Sequence, residues 1–145
     1  MTGGGGIVVL PADAPLRVLL RAAENDGELG VVEMEMTGGT AGPPLHLHPT
    51  HGEGFYVLRG SPTLQVGDDV VVTEPGTWAF APRNVPHTLA NHATTDARLL
   101  CVFAPGGFER RFERILADLA GAPPPGQAEA ELATRVLGPP LTPPD

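Results

Sequence analysis

Basic residues are scarce in this sequence of 145 residues, which has nine Lys and Arg against 17 Asp and Glu and a formal net charge of −8. The densest basic run, Arg110, Arg111 and Arg114, is interleaved with Glu109 and Glu113. Nucleic acids and anionic membranes attract basic surfaces. The charge balance therefore argues against nucleic acid or a membrane as partner, and we expect a small molecule instead.

Cysteine is also nearly absent. Cys101 is the only one, so neither an internal disulfide nor a thiolate metal cluster can form. It lies in the apolar stretch Leu99–Phe103, where no basic neighbour is evident to lower its pKa. The sequence predicts a small buried hydrophobe at this position rather than a nucleophile.

Long apolar runs are missing as well. No segment approaches the length of about 18 apolar residues that a membrane helix needs, and the N-terminus lacks a charged start followed by such a run. We therefore expect a cytoplasmic protein. Apolar residues make up 41% of the chain and charged residues 18%, which suits one folded domain with a real core.

Short apolar runs separated by Gly, Pro, Asp or Asn about every 8–12 residues predict an all-β sandwich or barrel over residues 7–104. Gly67-Asp68 predicts a tight hairpin between two of the strands. The predicted strands are Ile7–Leu10, Arg17–Ala22, Gly30–Met36, Leu45–His48, Gly54–Leu58, Thr63–Val66, Asp69–Thr73, Thr77–Ala81, His87–Asn91 and Arg98–Phe103.

The pattern changes after Pro105-Gly106-Gly107. Apolar residues then recur at helical spacing and predict an amphipathic helix that ends at Gly121; they are Phe108, Phe112, Ile115, Leu116 and Leu119. A second, weaker helical stretch runs from about Gln127 to Leu137. The chain is thus divided into a flexible start (1–6), the β-barrel (7–104), a C-terminal helical extension (105–138) and a flexible tail (139–145). We expect the helices to cover an open face of the β-domain, the alternative being that one of them closes a cavity.

One constellation carries chemistry: His46, His48, Glu53 and His87. Imidazole nitrogens and a carboxylate oxygen can together hold a divalent first-row transition metal. Alternate residues of a strand share a face, so His46 and His48 point the same way. If a barrel turns these faces inward, three imidazoles and one carboxylate converge among apolar walls.

The spacing of these residues resembles the two signature motifs of the cupin superfamily, a small jelly-roll barrel. In the first segment, His46-Leu47-His48 is followed by Glu53 and Gly60, with Thr40 replacing the usual leading glycine. In the second segment Gly76, Pro82, His87 and Asn91 are in register, and Asn84 stands where a glycine is usual. Asn tolerates left-handed backbone better than most residues, so this departure is mild.

Further stretches resemble the small single-domain cupins described as quercetin-dioxygenase-like, namely Phe55–Leu58, Pro105–Glu109 and Gly138–Pro140. The resemblance implies a cupin barrel with one or two C-terminal helices and one divalent metal per chain (Fe, Mn, Ni, Cu, Co or Zn). It assigns His46, His48, Glu53 and His87 as the ligands and gives Glu53 a second role as catalytic base. It also implies a homodimer, for which Ile7–Leu10 is the candidate contact.

The implied activity is that of a dioxygenase-type enzyme acting on a small, largely apolar aromatic or enol-containing substrate. A metal-dependent isomerase or cyclase and a non-catalytic binding protein are the alternatives. The predicted substrate pocket consists of Phe55, Val57, Phe80 (or Trp78 in its place), Leu89, Cys101 and Phe103. Two further histidines, His51 and His92, are expected to be a solvated loop residue and a surface residue, with a proton relay as the alternative role of His51.

Overall fold

Two five-stranded antiparallel sheets enclose the core of the protein. The computed structural model describes residues 6–7, 10–123 and 133–143. The first sheet has the strand order β1-β2-β9-β4-β7 and the second β10-β3-β8-β5-β6. The strands are β1 (Leu16–Leu20), β2 (Gly30–Met36), β3 (Pro44–Leu47), β4 (Gly52–Arg59), β5 (Thr63–Val66), β6 (Asp69–Val72), β7 (Trp78–Ala81), β8 (His87–Ala90), β9 (Ala97–Ala104) and β10 (Arg135–Pro140). The predicted jelly-roll barrel is confirmed.

Strand β4 illustrates how alternation builds this core. Phe55 and Val57 point inward and are 1% and 0% exposed, whereas Tyr56 and Leu58 point outward and are 38% and 40% exposed. Glu53 shares the inward face, since it lies two residues before Phe55. The same alternation that buries the apolar side chains therefore buries one carboxylate.

Two turns explain residues of the sequence motifs. Gly60 has a φ of +79°, and a Cβ at this position would come within 2.6 Å of the main-chain oxygen of Asp96. Asn84 has a φ of +66°, which agrees with the expectation that Asn can replace a glycine there. Both turns are built on left-handed backbone, which fixes the direction in which the chain enters the next strand.

The N-terminal strand prediction is wrong at both of its ends. Ile7 and Leu10 belong to no strand, Ile7 is 96% exposed, and Val8 and Val9 lie outside the described residues. A short apolar segment forms a strand only where another strand pairs with it, and no described strand pairs with Ile7 or Leu10. The predicted flexibility of residues 1–6 falls almost wholly outside the described part of the chain, and the homodimer expected through Ile7–Leu10 stays a prediction.

The first predicted helix is confirmed as α1 (Glu109–Ala120), which ends at Gly121 in left-handed conformation with a φ of +68°. It packs against β1 and β2. No helix in the described part of the chain has the length and apolar character needed to cross a membrane.

The second predicted helix is wrong where the structure describes it. Residues 127–132 lie outside the described ranges, but Arg135–Pro140 form strand β10, with Arg135 opposite Leu47 and Val136 opposite His46 on β3. Pro139 and Pro140, expected in a flexible tail, belong to this strand. Proline lacks the N–H that a helix interior needs, yet an edge strand tolerates it. Pairing with the free edge of β3 therefore outweighs the weak helical pattern.

Glu109 anchors the start of α1 to the barrel. Its side chain is buried, and its carboxylate accepts hydrogen bonds from the main-chain N–H groups of Ala22 (2.8 Å) and Gly107 (2.6 Å). Ala22 lies two residues after the end of β1, so one carboxylate ties α1 to the segment that follows this strand. An acidic group is also favourable in the first turn of a helix.

We predict that Glu109→Ala lowers the free energy of unfolding by about 2–4 kcal/mol, because two buried N–H donors lose their acceptor. Urea unfolding followed by circular dichroism measures the change. The matched control is Glu113→Ala on the same helix, where the carboxylate pairs with the half-exposed Arg21 at 2.9 Å; a pair of this kind contributes about 0–1 kcal/mol. Equal losses in the two variants would contradict the anchoring role of Glu109.

Candidate metal centre

The four predicted ligands come from both sheets and meet between them. His46 on β3 lies directly opposite His87 on β8 in the second sheet. His48 follows the end of β3, and Glu53 is on β4 in the first sheet. All four side chains are buried, with exposed fractions from 1% for His48 and His87 to 9% for His46. Cross-strand pairing and strand alternation thus bring together residues 41 positions apart in sequence (87 − 46).

The distances are those of one small cluster. The ring centroids of the three histidines lie 4.6–5.0 Å apart, and one nitrogen from each ring lies within 4.8 Å of the others. The Oε1 atom of Glu53 is 3.3 Å from Nε2 of His87 and 3.4 Å from Nε2 of His48. Three imidazole nitrogens and one carboxylate oxygen therefore face a common space.

Each imidazole is held through its other nitrogen. The Nδ1 atom of His46 is 2.6 Å from the carbonyl oxygen of Pro44, that of His48 is 2.9 Å from the carbonyl oxygen of Ala133, and that of His87 is 3.0 Å from the carbonyl oxygen of Val85. A carbonyl oxygen can only accept, so Nδ1 carries the proton and donates in each case. A ring that is neutral then presents the Nε2 lone pair to the cluster, as metal-binding histidines do.

The cluster perturbs the ionisation of its members. Burial raises the pKa of Glu53, but the interactions with His48 and His87 outweigh burial and lower this pKa to about 2. Burial also opposes the charge of His87, yet the hydrogen bond and the charge of Glu53 raise its pKa. Burial lowers the pKa of His46. A carboxylate that stays ionised inside a buried cluster of imidazoles is a strong potential ligand for a cation.

The donor set fits a divalent transition metal. Nε2 of His48 is buried and makes no well-formed hydrogen bond, although Oε1 of Glu53 lies 3.4 Å away; buried polar atoms are nearly always paired. A metal ion at the common space would satisfy this nitrogen and replace the proton shared between His87 and Glu53. Three nitrogens and one oxygen suit iron, manganese, nickel, copper, cobalt or zinc, and the set does not select among them.

His51 corrects a prediction, because it is not a solvated loop residue. Its side chain is 3% exposed, its ring stacks on His48 with centroids 4.3 Å apart, and its Nδ1 is 3.0 Å from Oγ1 of Thr50. With His48 and Glu53 it forms a second group of potential ligand atoms within 4.8 Å of one another. Burial lowers the pKa of His51 to about 4. His92, expected at the surface, is partly buried.

A cavity of about 610 Å³ opens beside the cluster, and His46, His48, Glu53 and His87 form part of its wall. Phe55 and Leu89, both predicted as pocket residues, line it. The other lining residues include Met34, Met36, Phe108, Phe112 and Val136, so the wall is mainly apolar.

The remaining pocket predictions are wrong, for two different reasons. Val57, Cys101 and Phe103 point inward but lie in the closed hydrophobic core, with exposed fractions of 0–1%. Burial raises the pKa of the Cys101 thiol, in agreement with its predicted role as a small hydrophobe. Phe80 and Trp78 both point outward and are 48% and 53% exposed.

Glycines on the neighbouring strand leave the space that these two outward-pointing aromatic rings occupy. A Cβ on Gly52 would meet the ring of Phe80 at 2.6 Å, and a Cβ on Gly54 would meet the ring of Trp78 at 2.1 Å. The rings thus cover main chain that has no side chain of its own, and the inward positions on β7 are occupied by Ala79 and Ala81.

Several cavity residues were not found from the sequence. Phe108, Arg111 and Phe112 come from α1 and the residue before it, and Thr134 and Val136 come from β10 and the segment before it. The spacing of the first three (i, i+3, i+4) places them on one helix face, which is a feature of the sequence that can predict a shared surface. Two roles were open for this helix: covering a face of the β-domain or closing a cavity. Because α1 forms part of the cavity wall, the second role describes it better.

Comparison with known proteins agrees with this architecture. Residues 32–103 match the family model described as Cupin domain. These residues form a cupin domain. The match contains all four potential ligands and ends before α1 and β10.

Solved structures with the same fold are distant in sequence. A protein from Thermus thermophilus is 26% identical with a TM-score of 0.52, covering 61% of this chain and 84% of that one. A predicted oxalate decarboxylase from Thermotoga maritima is 23% identical with a TM-score of 0.57, covering 62% and 78%. KdgF from Halomonas sp. is 19% identical with a TM-score of 0.55, covering 66% and 84%. A search of curated proteins gave no match.

The buried imidazole of His51 predicts a pH dependence of stability in the metal-free protein. Its pKa is about 4 in the folded chain and about 6.5 in an unfolded one. Protonation therefore favours unfolding, so the stability due to neutral His51 is complete above about pH 6.5 and is lost as the pH falls towards about 4. We predict that His51→Gln shows a smaller loss of stability than the wild type in this window.

Urea unfolding of chelator-treated protein across this pH range measures the effect. His92→Gln, which removes a histidine outside the cluster, is the control and is expected to keep the pH dependence of the wild type. An unchanged slope in His51→Gln would show that His51 does not contribute.

Proposed function

We propose that this protein is a metal-dependent cupin enzyme of the dioxygenase type, acting on a small and largely apolar substrate with an enol or phenol group. The observation that carries the proposal is the buried cluster of three imidazoles and one carboxylate in the wall of an apolar cavity of about 610 Å³. Cavities of this size and lining suit compact apolar ligands that are fixed by a few polar groups.

A divalent metal held by His46, His48, Glu53 and His87 would supply a Lewis acid that favours ionisation of a substrate hydroxyl. The Glu53 carboxylate is ionised and faces the cavity. A carboxylate of such low pKa is a weak base, so it would accept the hydroxyl proton only because the bound metal lowers the pKa of that hydroxyl. The Nδ1 hydrogen bonds keep the three rings in place during this transfer. Phe55 and Leu89 exclude water from the substrate body.

The oxalate decarboxylase activity named for the Thermotoga maritima neighbour fits this cavity less well. Oxalate is a small dianion, whereas the cavity wall is mainly apolar and its own charged cluster includes Glu53. A larger substrate with an apolar body and an ionisable hydroxyl would contact more of the cavity wall than oxalate does.

We predict that protein purified without chelator contains about one transition-metal ion per chain, and that His46→Ala and His87→Ala each lose it, because each removes one of the imidazole ligands. Mass spectrometry of the metal content measures the result. His92→Ala removes a histidine outside the cavity wall and is expected to keep the metal. Wild-type metal content in both ligand variants would refute the assigned ligand set.

We predict that enol substrates such as flavonols and β-diketones cause oxygen uptake by the metal-loaded protein, and that Glu53→Gln lowers the rate per bound metal by about 100- to 10,000-fold, because Gln cannot accept the proton. Glu28→Gln, at an exposed position outside the cavity, is the control. An oxygen electrode measures the uptake rate, and metal analysis of the same samples gives the bound metal. Together they distinguish the loss of the catalytic base from the loss of the metal.

The same assay distinguishes the alternatives. Conversion at an equal rate without oxygen would favour a metal-dependent isomerase or cyclase. Tight binding with no conversion in air would favour a small-molecule-binding protein.

A further inference from the structure

The cavity has a second polar group, Arg111, on its α1 wall. Phe108, Arg111 and Phe112 share one helix face by their spacing, and all three line the cavity. The ring of Phe108 lies 4.5 Å from that of His48, so Phe108 borders the metal cluster. Arg111 lies three residues further along the helix, about 4.5 Å along its axis, and it is exposed to solvent whereas Phe108 is buried. Arg111 therefore belongs to the solvent-exposed part of the cavity wall.

The described carboxylates around the cavity do not pair with Arg111. Two carboxylates line the cavity with it, and both interact with other groups: Glu53 with His48 and His87, and Glu35 with Arg59 (3.1 Å) and Arg98 (3.4 Å). Within the described ranges, the guanidinium of Arg111 makes no ion pair and no side-chain hydrogen bond.

Four of the other eight arginines make ion pairs with glutamates. Arg17, Arg21, Arg59 and Arg98 each lie within 4.0 Å of a glutamate oxygen. Acidic side chains outnumber basic ones by 17 to nine, so carboxylate partners are plentiful in the chain. Arg111 lines a cavity whose other lining residues are mainly apolar, and its guanidinium carries a planar set of five N–H donors that suits a carboxylate.

We propose that Arg111 selects substrates that carry an anionic group, a carboxylate above all, at the end remote from the enol or phenol group. This inference rests on the proposed function, since it adds a second fixed point to the same site. The substrate class is then an elongated molecule with an ionisable hydroxyl at one end, an apolar body, and an anion at the other end. The body lies against Phe55, Leu89 and Phe112.

The test compares two probes that differ only in the anionic group, benzoylacetone and para-carboxybenzoylacetone. Isothermal titration calorimetry gives the dissociation constant of each, with metal-loaded and with metal-free protein. We expect the wild type to bind the carboxylated probe about tenfold more tightly, as for a charge-assisted hydrogen bond at a partly exposed site. The preference should shrink as salt is added.

The variants locate the effect. Arg111→Gln is expected to bind the two probes with equal affinity, and Arg111→Lys is expected to keep part of the preference because it keeps the charge but not the planar donors. Arg114→Gln on the same helix, outside the cavity wall, is the control that should keep the full preference.

The outcomes separate this inference from the proposed function. Equal affinity of the wild type for the two probes, or a preference that survives in Arg111→Gln, would overturn the role of Arg111 and leave the metal cluster untouched. The wild type could show the tenfold preference both with and without metal, while its affinity for benzoylacetone does not depend on the metal. This result would support the role of Arg111 in substrate selection and count against the proposed function. Failure of both probes to bind would overturn both.

Discussion

Three hydrogen bonds from imidazole Nδ1 atoms to main-chain carbonyls determine what this cavity can do. They come from three separate places: the start of β3, the turn before β8 and the segment before β10. Each fixes a ring and its tautomer, so that the Nε2 atoms converge on the side of Glu53. The rest of the fold must keep these carbonyls in register, and the direct pairing of His46 with His87 across two strands does so for two of them.

The same arrangement is costly in the metal-free chain. It holds an ionised Glu53 and a His87 of raised pKa away from water, and it leaves Nε2 of His48 and of His51 without a hydrogen-bond partner. Buried groups of this kind reduce stability unless something compensates for them. A cation in the cluster would do so, which links metal affinity to folding. The stability of the barrel is supplied elsewhere, by the apolar core between the sheets.

The sequence was a good guide wherever the information was local. Strand alternation and histidine spacing gave most strands, the faces of His46, His48 and Glu53, and helix α1. Prediction from the sequence failed where the structure of a segment depends on residues that are distant in the sequence. The rings of Trp78 and Phe80 lie over Gly54 and Gly52 of the neighbouring strand, and the β10 strand depends on the free edge of β3. The burial of His51 likewise needs the rings of His48 and Phe108 against it.

The cavity wall is divided between two parts of the chain. The potential metal ligands lie within residues 32–103, which match the cupin domain, whereas Phe108, Arg111, Phe112, Thr134 and Val136 lie beyond its end. Mutations in the C-terminal third can therefore change which molecule fits while the ligand set stays the same. Exchange of this segment between cupins of similar barrel is accordingly a rational route to altered selectivity, provided that the carbonyl of Ala133 keeps its contact with His48.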